Sequence, residues 1–304
     1  MAPLDYVPAA GLRWLIFAKP ARISADPELS AAAAQVVPAE RLAAFSQVTG
    51  VDVRQLEAAA IAGYDLGTLY VATLPATDGG VARRRFEERL TAGAIVRHPR
   101  PTIYRIAGTR AGLPRVLVAV EDRLLAFATG DLTLGRVAEA YAERRLKSPT
   151  ALHGAALSSL PRAADDALAI LYAPGPFTGE WQSAAGGLLR TALGLTIALS
   201  HGEGATIRAD IVVVGDWPDP DPTPQLEAAW AELASSSTGR LFGLDQAKKM
   251  RIVADLHHLT WSAELAVGPL VAGLRAATVA NVSEMFDVQA HEPTGSPVES
   301  LPAP

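Results

Sequence analysis

Three short β-rich runs stand one after another in the middle of the first half: "TIYRIAG" (Thr102–Gly108), "RVLVAVED" (Arg115–Asp122) and "RLLAFATG" (Arg123–Gly130). Only turn residues separate them, "TRAGLP" (Thr109–Pro114) and then Glu121 and Asp122. Apolar and β-branched runs of this length, joined by so little chain, predict an antiparallel meander. No other feature restricts the fold as much, so the remaining elements are placed around it.

Before the meander, "LRWLIFAKP" (Leu12–Pro20) predicts a strand ended by proline. An alanine- and leucine-rich stretch from Pro27 to Tyr64 predicts short helices divided at Pro38 and Gly50. Asp26 before Pro27 has the pattern of an N-cap followed by an N1 proline. "DLGTLYVATLP" (Asp65–Pro75) predicts a strand, and Gly79–Gly93 a helix closed by glycine. After the meander, Asp131–Arg145 predicts a helix with Leu134, Val137 and Tyr141 on one face.

The second half runs in the same order. It has a strand ending in proline (Ala167–Pro174), a helix (Gly179–Gly194), and two strands joined by "HGEG" (His201–Gly204). A helix (Thr223–Ser237), strand segments within Met250–Val267 and a last helix (Gly268–Phe286) complete it. The expected fold class is α+β: two related halves, each a mostly antiparallel sheet with helices packed on one face. The halves span residues 8–146 and 167–286, with a linker at 147–166 and a disordered tail at 287–304. The matching order, at low residue identity, favours an internal duplication.

Composition narrows the function. Hydrophobic residues make up 49% and charged residues 19% of the 304, ample for a buried core. The net charge is -5, and the arginines of "ARRRFEERL" (Ala82–Leu90) are interleaved with carboxylates. That pattern reads as a solvated helix face and argues against a nucleic-acid partner. The chain has no cysteine, which removes disulfides, thiolate metal sites and a cysteine nucleophile. No apolar run approaches the ~20 residues of a membrane span. The first residues show neither a basic n-region nor a cleavage site.

Several quoted stretches together resemble a known group. "VPAAGLRWLIFAKP", "FSQVTGVDVRQL" (Phe45–Leu56) and the meander with its acidic turn and following helix resemble bacterial extracytoplasmic lipoproteins of the myxobacterial type, built around a domain of unknown function. The likeness covers most of Pro8–Tyr141, and its motifs are structural. It implies an exported, membrane-tethered, non-enzymatic protein, periplasmic or outer-membrane-associated; the first reading is therefore a non-catalytic binding or scaffold protein of the cell envelope, with an envelope protein as partner. This sequence departs from that pattern in showing no leader and no lipid-bearing cysteine, and a cytoplasmic protein would lack both too.

Candidate sites are few. "GDWPDPDPTP" (Gly215–Pro224) is a proline-stiffened acidic loop after a strand. Asp216, Asp219 and Asp221 are candidate binding residues there, but the spacing is not that of an EF-hand. Trp217, with Trp181, lies near an element end and is a candidate surface anchor; Trp14, Trp230 and Trp261 lie in apolar patterns and are expected in the core. "DLHHLTW" (Asp255–Trp261) raises a metal-assisted hydrolase as the alternative, using Asp255, His257, His201 and Glu203. In a strand, however, His257 and His258 point to opposite faces and cannot easily share one metal. The plainer reading is one histidine on a solvated face and one packed beside Trp261. No Gly-x-Ser-x-Gly elbow or phosphate loop occurs, and no catalytic residue, metal or cofactor is expected. A third reading is a small-molecule binder using the cleft between the halves.

Overall fold

The computed structural model describes residues 2–75, 79–158, 166–179, 184–217, 222–254 and 257–276. Seven strands come from the first half: β1 (Leu12–Ala18), β2 (Ala58–Tyr64), β3 (Gly67–Thr73), β4 (Ala92–Arg100), β5 (Ile103–Arg110), β6 (Leu113–Val120) and β7 (Leu124–Thr129). Five come from the second: β8 (Ala169–Pro174), β9 (Ala192–His201), β10 (Thr206–Gly215), β11 (Lys248–Ala254) and β12 (His258–Ala266). They form one sheet in the order β11-β12-β10-β9-β8-β1-β2-β3-β7-β6-β5-β4. Every neighbouring pair is antiparallel.

The fold is therefore α+β, and the two half-sheets are joined edge to edge. The seam is the β1–β8 pair, with Leu15 opposite Tyr172 and Ala18 opposite Ala169. Outward from it the chain follows the same path twice. Three strands meander, a helix follows, and the returning strands place their last member beside the third: β7 beside β3, and β12 beside β10. Joining at the seam also removes two exposed strand edges, which are templates for aggregation.

Two elements differ from the sequence expectation. Ala58–Tyr64, expected as helix, is β2, held between β1 and β3. Its small residues suit a central strand packed closely on one face, where Ala60 and Ala62 are almost fully buried. Pairing with two neighbours outweighs alanine's weak preference for helix. β4 precedes the expected three-stranded meander and makes it four-stranded. In the second half, a 3-10 turn (Ala184–Thr191) stands where the end of a helix is expected. Part of the expected linker is packed, since Ala151, Ala156 and Leu157 are buried in the main core. The expected tail lies outside the described residues, as does the last helix beyond residue 276.

Alternation along the strands sorts the core into layers. On one face, Leu15, Phe17, Ala62, Leu69, Val116 and Val118 pack beneath α5 (Thr133–Ala142). That core crosses the seam to Ile170, Tyr172, Ala198 and Val212. On the other face, Leu117, Ala119 and Leu125 lie with Ala82 and Phe86 of α4 (Gly79–Glu88). The first half thus carries helices on both faces. In the second half, Val213, Leu259 and Trp261 pack with Leu226 and Ala229 of α7 (Thr223–Ser235). At the seam this second face is open: Trp14, Ile16 and Leu171 are 42%, 40% and 41% exposed. Trp14, expected in the core, is therefore half-exposed, because none of the described helices covers its side of β1.

Candidate functional site: an apolar cavity between sheet and helices

The layer between the first half-sheet and its covering helices is not filled. A cavity of about 580 Å³ lies there, within the range of small-molecule sites. Its floor is one face of four adjacent strands: Ala59 and Ile61 of β2, Tyr70 and Ala72 of β3, Leu125 and Phe127 of β7, and Leu117 of β6. Phe45 and Thr49 of α3 (Ala39–Thr49) and Phe86 of α4 form the roof. Val51, Val53 and Leu56 close one side.

Small side chains make the space. Ala59 and Ala72 are directly opposed in the β2–β3 register, and Ala72 is opposed to Leu125 in the β3–β7 register. Two alanines side by side leave the sheet floor low, while aromatics bound it. Phe127 stacks edge-on against Phe86 at 5.7 Å between centroids and lies 5.8 Å from Tyr70. Such pairs hold ring positions firmly.

The roof is lightly held. α3 has no buried residue, and Phe45 and Val48 are about half-exposed at 47% and 48%. Its C-terminus is fixed by Gly50, whose φ of +73° is open to glycine at little strain. A Cβ there would fall 2.9 Å from Val81 Cγ1, so Gly50 also lets α3 approach α4.

Charge enters at the margin. Arg89, just past α4, and Arg110 and Arg115, on β5 and β6, line the cavity, and among the described residues no carboxylate does. The Arg115 guanidinium carbon stands 6.0 Å from the Phe127 ring centroid. The arginine run of α4 is thus divided: Arg84 and Arg85 are solvated as expected, while Arg83 lies 3.7 Å over the Tyr104 ring and Arg89 turns to the cavity.

The fold carrying this cavity has a counterpart among solved structures. The chain shares its fold with TP0453. That Treponema protein, in its crystal form III, aligns with a TM-score of 0.51 at 9% identity, over 91% of this chain and 98% of that one. Its crystal form I aligns at a TM-score of 0.49 and 9% identity, over 91% and 97%. At such identity the likeness is one of fold alone. No family model matches the sequence, and no curated protein matches it.

The residues singled out by sequence fall elsewhere. Trp217 is a core residue, a correction to its reading as a surface anchor. It is 8% exposed, packs with Leu188, Val213 and Leu226, and its indole Nε1 donates to the Leu188 carbonyl at 3.3 Å. A tryptophan at a strand end, beside the turn at 184–191, covers the end of the core instead of facing solvent. Asp216 is exposed, and the His257 ring meets it, Nδ1 to Oδ1 2.9 Å. Trp181, Asp219, Asp221 and Asp255 lie outside the described residues.

The four-residue hydrolase set does not assemble. His201 is paired with Ile207 at one end of β10, and His258 with Val214 at the other. The two pairs are seven residue steps apart along the strand, roughly 23 Å. His201 and Glu203, which belongs to the hairpin turn, are therefore remote from His257. His201 instead stands with Nδ1 3.8 Å from Asp26 Oδ2. It lines a polar hollow of about 500 Å³ where Arg22 of the first half meets Ser200, Arg208 and Asp210 of the second. His257 is exposed, and His258 falls on the face of β12 opposite Trp261. Among the described residues no three His, Asp or Glu side chains are grouped to hold a metal.

Proposed function

We propose that the protein is a non-catalytic binding protein that holds an apolar small molecule between its first half-sheet and the helices α3 and α4. One observation carries this reading: a cavity of about 580 Å³ whose floor and roof are aliphatic and aromatic side chains. Apolar lining left unfilled at that size is costly, because it forgoes dispersion contacts and part of it stays in water. A fold that keeps such a space open gains by filling it with a ligand. The lightly packed roof supplies an entry route, since α3 itself carries no buried side chain. The cell envelope is the proposed setting, supported by the likeness of Pro8–Tyr141 to extracytoplasmic lipoproteins; detection of the native protein in the cytosol would remove it.

The test uses Nile red, a neutral dye that brightens in apolar surroundings. The wild-type chain should bind one dye per molecule and gain thermal stability as dye is added. Ala72→Phe places a ring over the floor and should abolish binding while the melting temperature is kept or raised. Undiminished binding by a folded Ala72→Phe protein would overturn the assignment to this cavity.

A further inference from the structure

The cavity is apolar along its length but not at its margin, and this distinguishes classes of ligand. Arg110 and Arg115 lie on the same face of the β5–β6 hairpin. Arg110 is opposite Leu113, two residues from Arg115, so the two are diagonal neighbours across the strands. Arg89 reaches the same lining from the end of α4. Its Nε is buried and has no hydrogen-bond partner. Among the described residues no carboxylate pairs with any of the three, whereas Arg13, Arg54, Arg123 and Arg208 are each paired with an Asp or Glu. Three uncompensated guanidiniums at the edge of an apolar space repel one another and hold planar donors ready for an anion. In a chain of net charge -5 they also form a local positive focus that steers anions to this point.

We infer that the ligand is a single-chain amphiphile with an anionic head. Its tail lies over Ala59, Ala72 and Phe127, and its carboxylate or phosphate meets Arg89, Arg110 and Arg115. This rests on the cavity being the binding site. At about 30 Å³ for each water-sized group, the space accepts roughly 15 to 19 methylenes, the length of one long acyl chain and not of two.

Displacement of Nile red from the full chain separates the possibilities. The probes are hexadecanoate, hexadecyl phosphate, hexadecanol and inorganic phosphate. The anionic amphiphiles should displace dye at least tenfold more tightly than the alcohol. The better of the two names the head group. Arg110→Gln with Arg115→Gln should bring that ratio near one while dye and alcohol still bind, and Arg115→Lys should retain part of it. Equal affinity of alcohol and anions for the wild type would overturn the head-group inference and leave the apolar cavity standing. Inorganic phosphate binding as tightly as hexadecyl phosphate would also overturn it, since the tail would then contribute nothing. Failure of dye, alcohol and both amphiphiles to bind the folded protein would overturn the cavity reading and this inference together.

Discussion

Val116 on β6 and Gly135 on α5 are packed so closely that a methyl group at Gly135 would have no room. A Cβ built there falls 2.4 Å from Val116 Cγ1 and 3.1 Å from Cγ2. Val116 is itself fully buried and β-branched, so its side chain has no free rotamer to retreat into. In an ordinary helix, replacing glycine by alanine gains about 1 kcal/mol. Here the sign should reverse: Gly135→Ala should lower stability by about 1–3 kcal/mol through overpacking. Val116→Ala makes room, so the double variant should be more stable than the sum of the two singles. Urea unfolding of the four proteins measures that coupling.

Trp217 gives a second prediction because sequence and structure assign it opposite roles. A surface anchor can be truncated without harm to the fold. The buried indole found here cannot, because it fills space among Leu188, Val213 and Leu226. Trp217→Ala should destabilise by about 3–5 kcal/mol. Trp217→Phe keeps most of the volume and loses the hydrogen bond to the Leu188 carbonyl, worth about 1 kcal/mol. A wild-type melting temperature for Trp217→Ala would restore the surface reading.

Why the sequence led to one view of Trp217 and the structure to another is physical. The β5–β7 meander was readable because each strand is β-rich and each turn short. Ala58–Tyr64 was not, since alanine carries a helical preference and its strand identity comes only from β1 and β3 pairing to it. That one element hides the site as well, for the cavity floor depends on Ala59 facing Ala72. The seam between β1 and β8 joins segments about 150 residues apart, beyond the reach of any local pattern. The repeated order of elements was visible, and the strands of the two halves follow the same path. A signal for the site did exist in the "RRRFEER" run, where Phe86 interrupts the charges on the face that turns to the sheet.

Buried phenols make stability sensitive to alkaline pH. Tyr6 is pushed up to about 12, first by burial and then by the nearby carboxylates Asp5 and Glu121. Tyr64 and Tyr172 are raised by burial as well. A phenol whose folded value exceeds the unfolded value of about 10 binds its proton more tightly in the native state. Its contribution is complete below pH about 10 and is lost as pH rises through the folded value. Unfolding free energy should therefore fall between pH about 10 and about 12, where Tyr6 titrates, in step with the tyrosinate absorption band. The Tyr64 hydroxyl donates to the Pro8 carbonyl at 2.9 Å. Tyr64→Phe should lose about 1 kcal/mol near neutrality and show a shallower alkaline decline. A pH-independent stability across that window would contradict the assignment.

Glu139 on α5 tests whether the helix is held by charge as well as by packing. The carboxylate is nearly buried, with Oε2 3.5 Å from Arg105 Nη1 on β5 and Oε1 3.8 Å from Arg145 Nη2. Arg105 has little contact with water, and its Nε has no hydrogen-bond partner. Removing the carboxylate alone leaves that guanidinium uncompensated, which costs about 3–5 kcal/mol for a buried pair. The arginine's remaining 18% exposure places Glu139→Leu at the lower end, about 3 kcal/mol. Replacing both partners removes the stranded charge. Arg105→Met with Glu139→Leu should therefore be more stable than Glu139→Leu alone, by urea unfolding at low and high salt. An exposed pair would behave differently, with both single variants near neutral and any effect abolished by salt. If Glu139→Leu proves as stable as the wild type, α5 is held by Leu134, Ala138 and Gly135 against the sheet, and the ion pair contributes nothing to the fold.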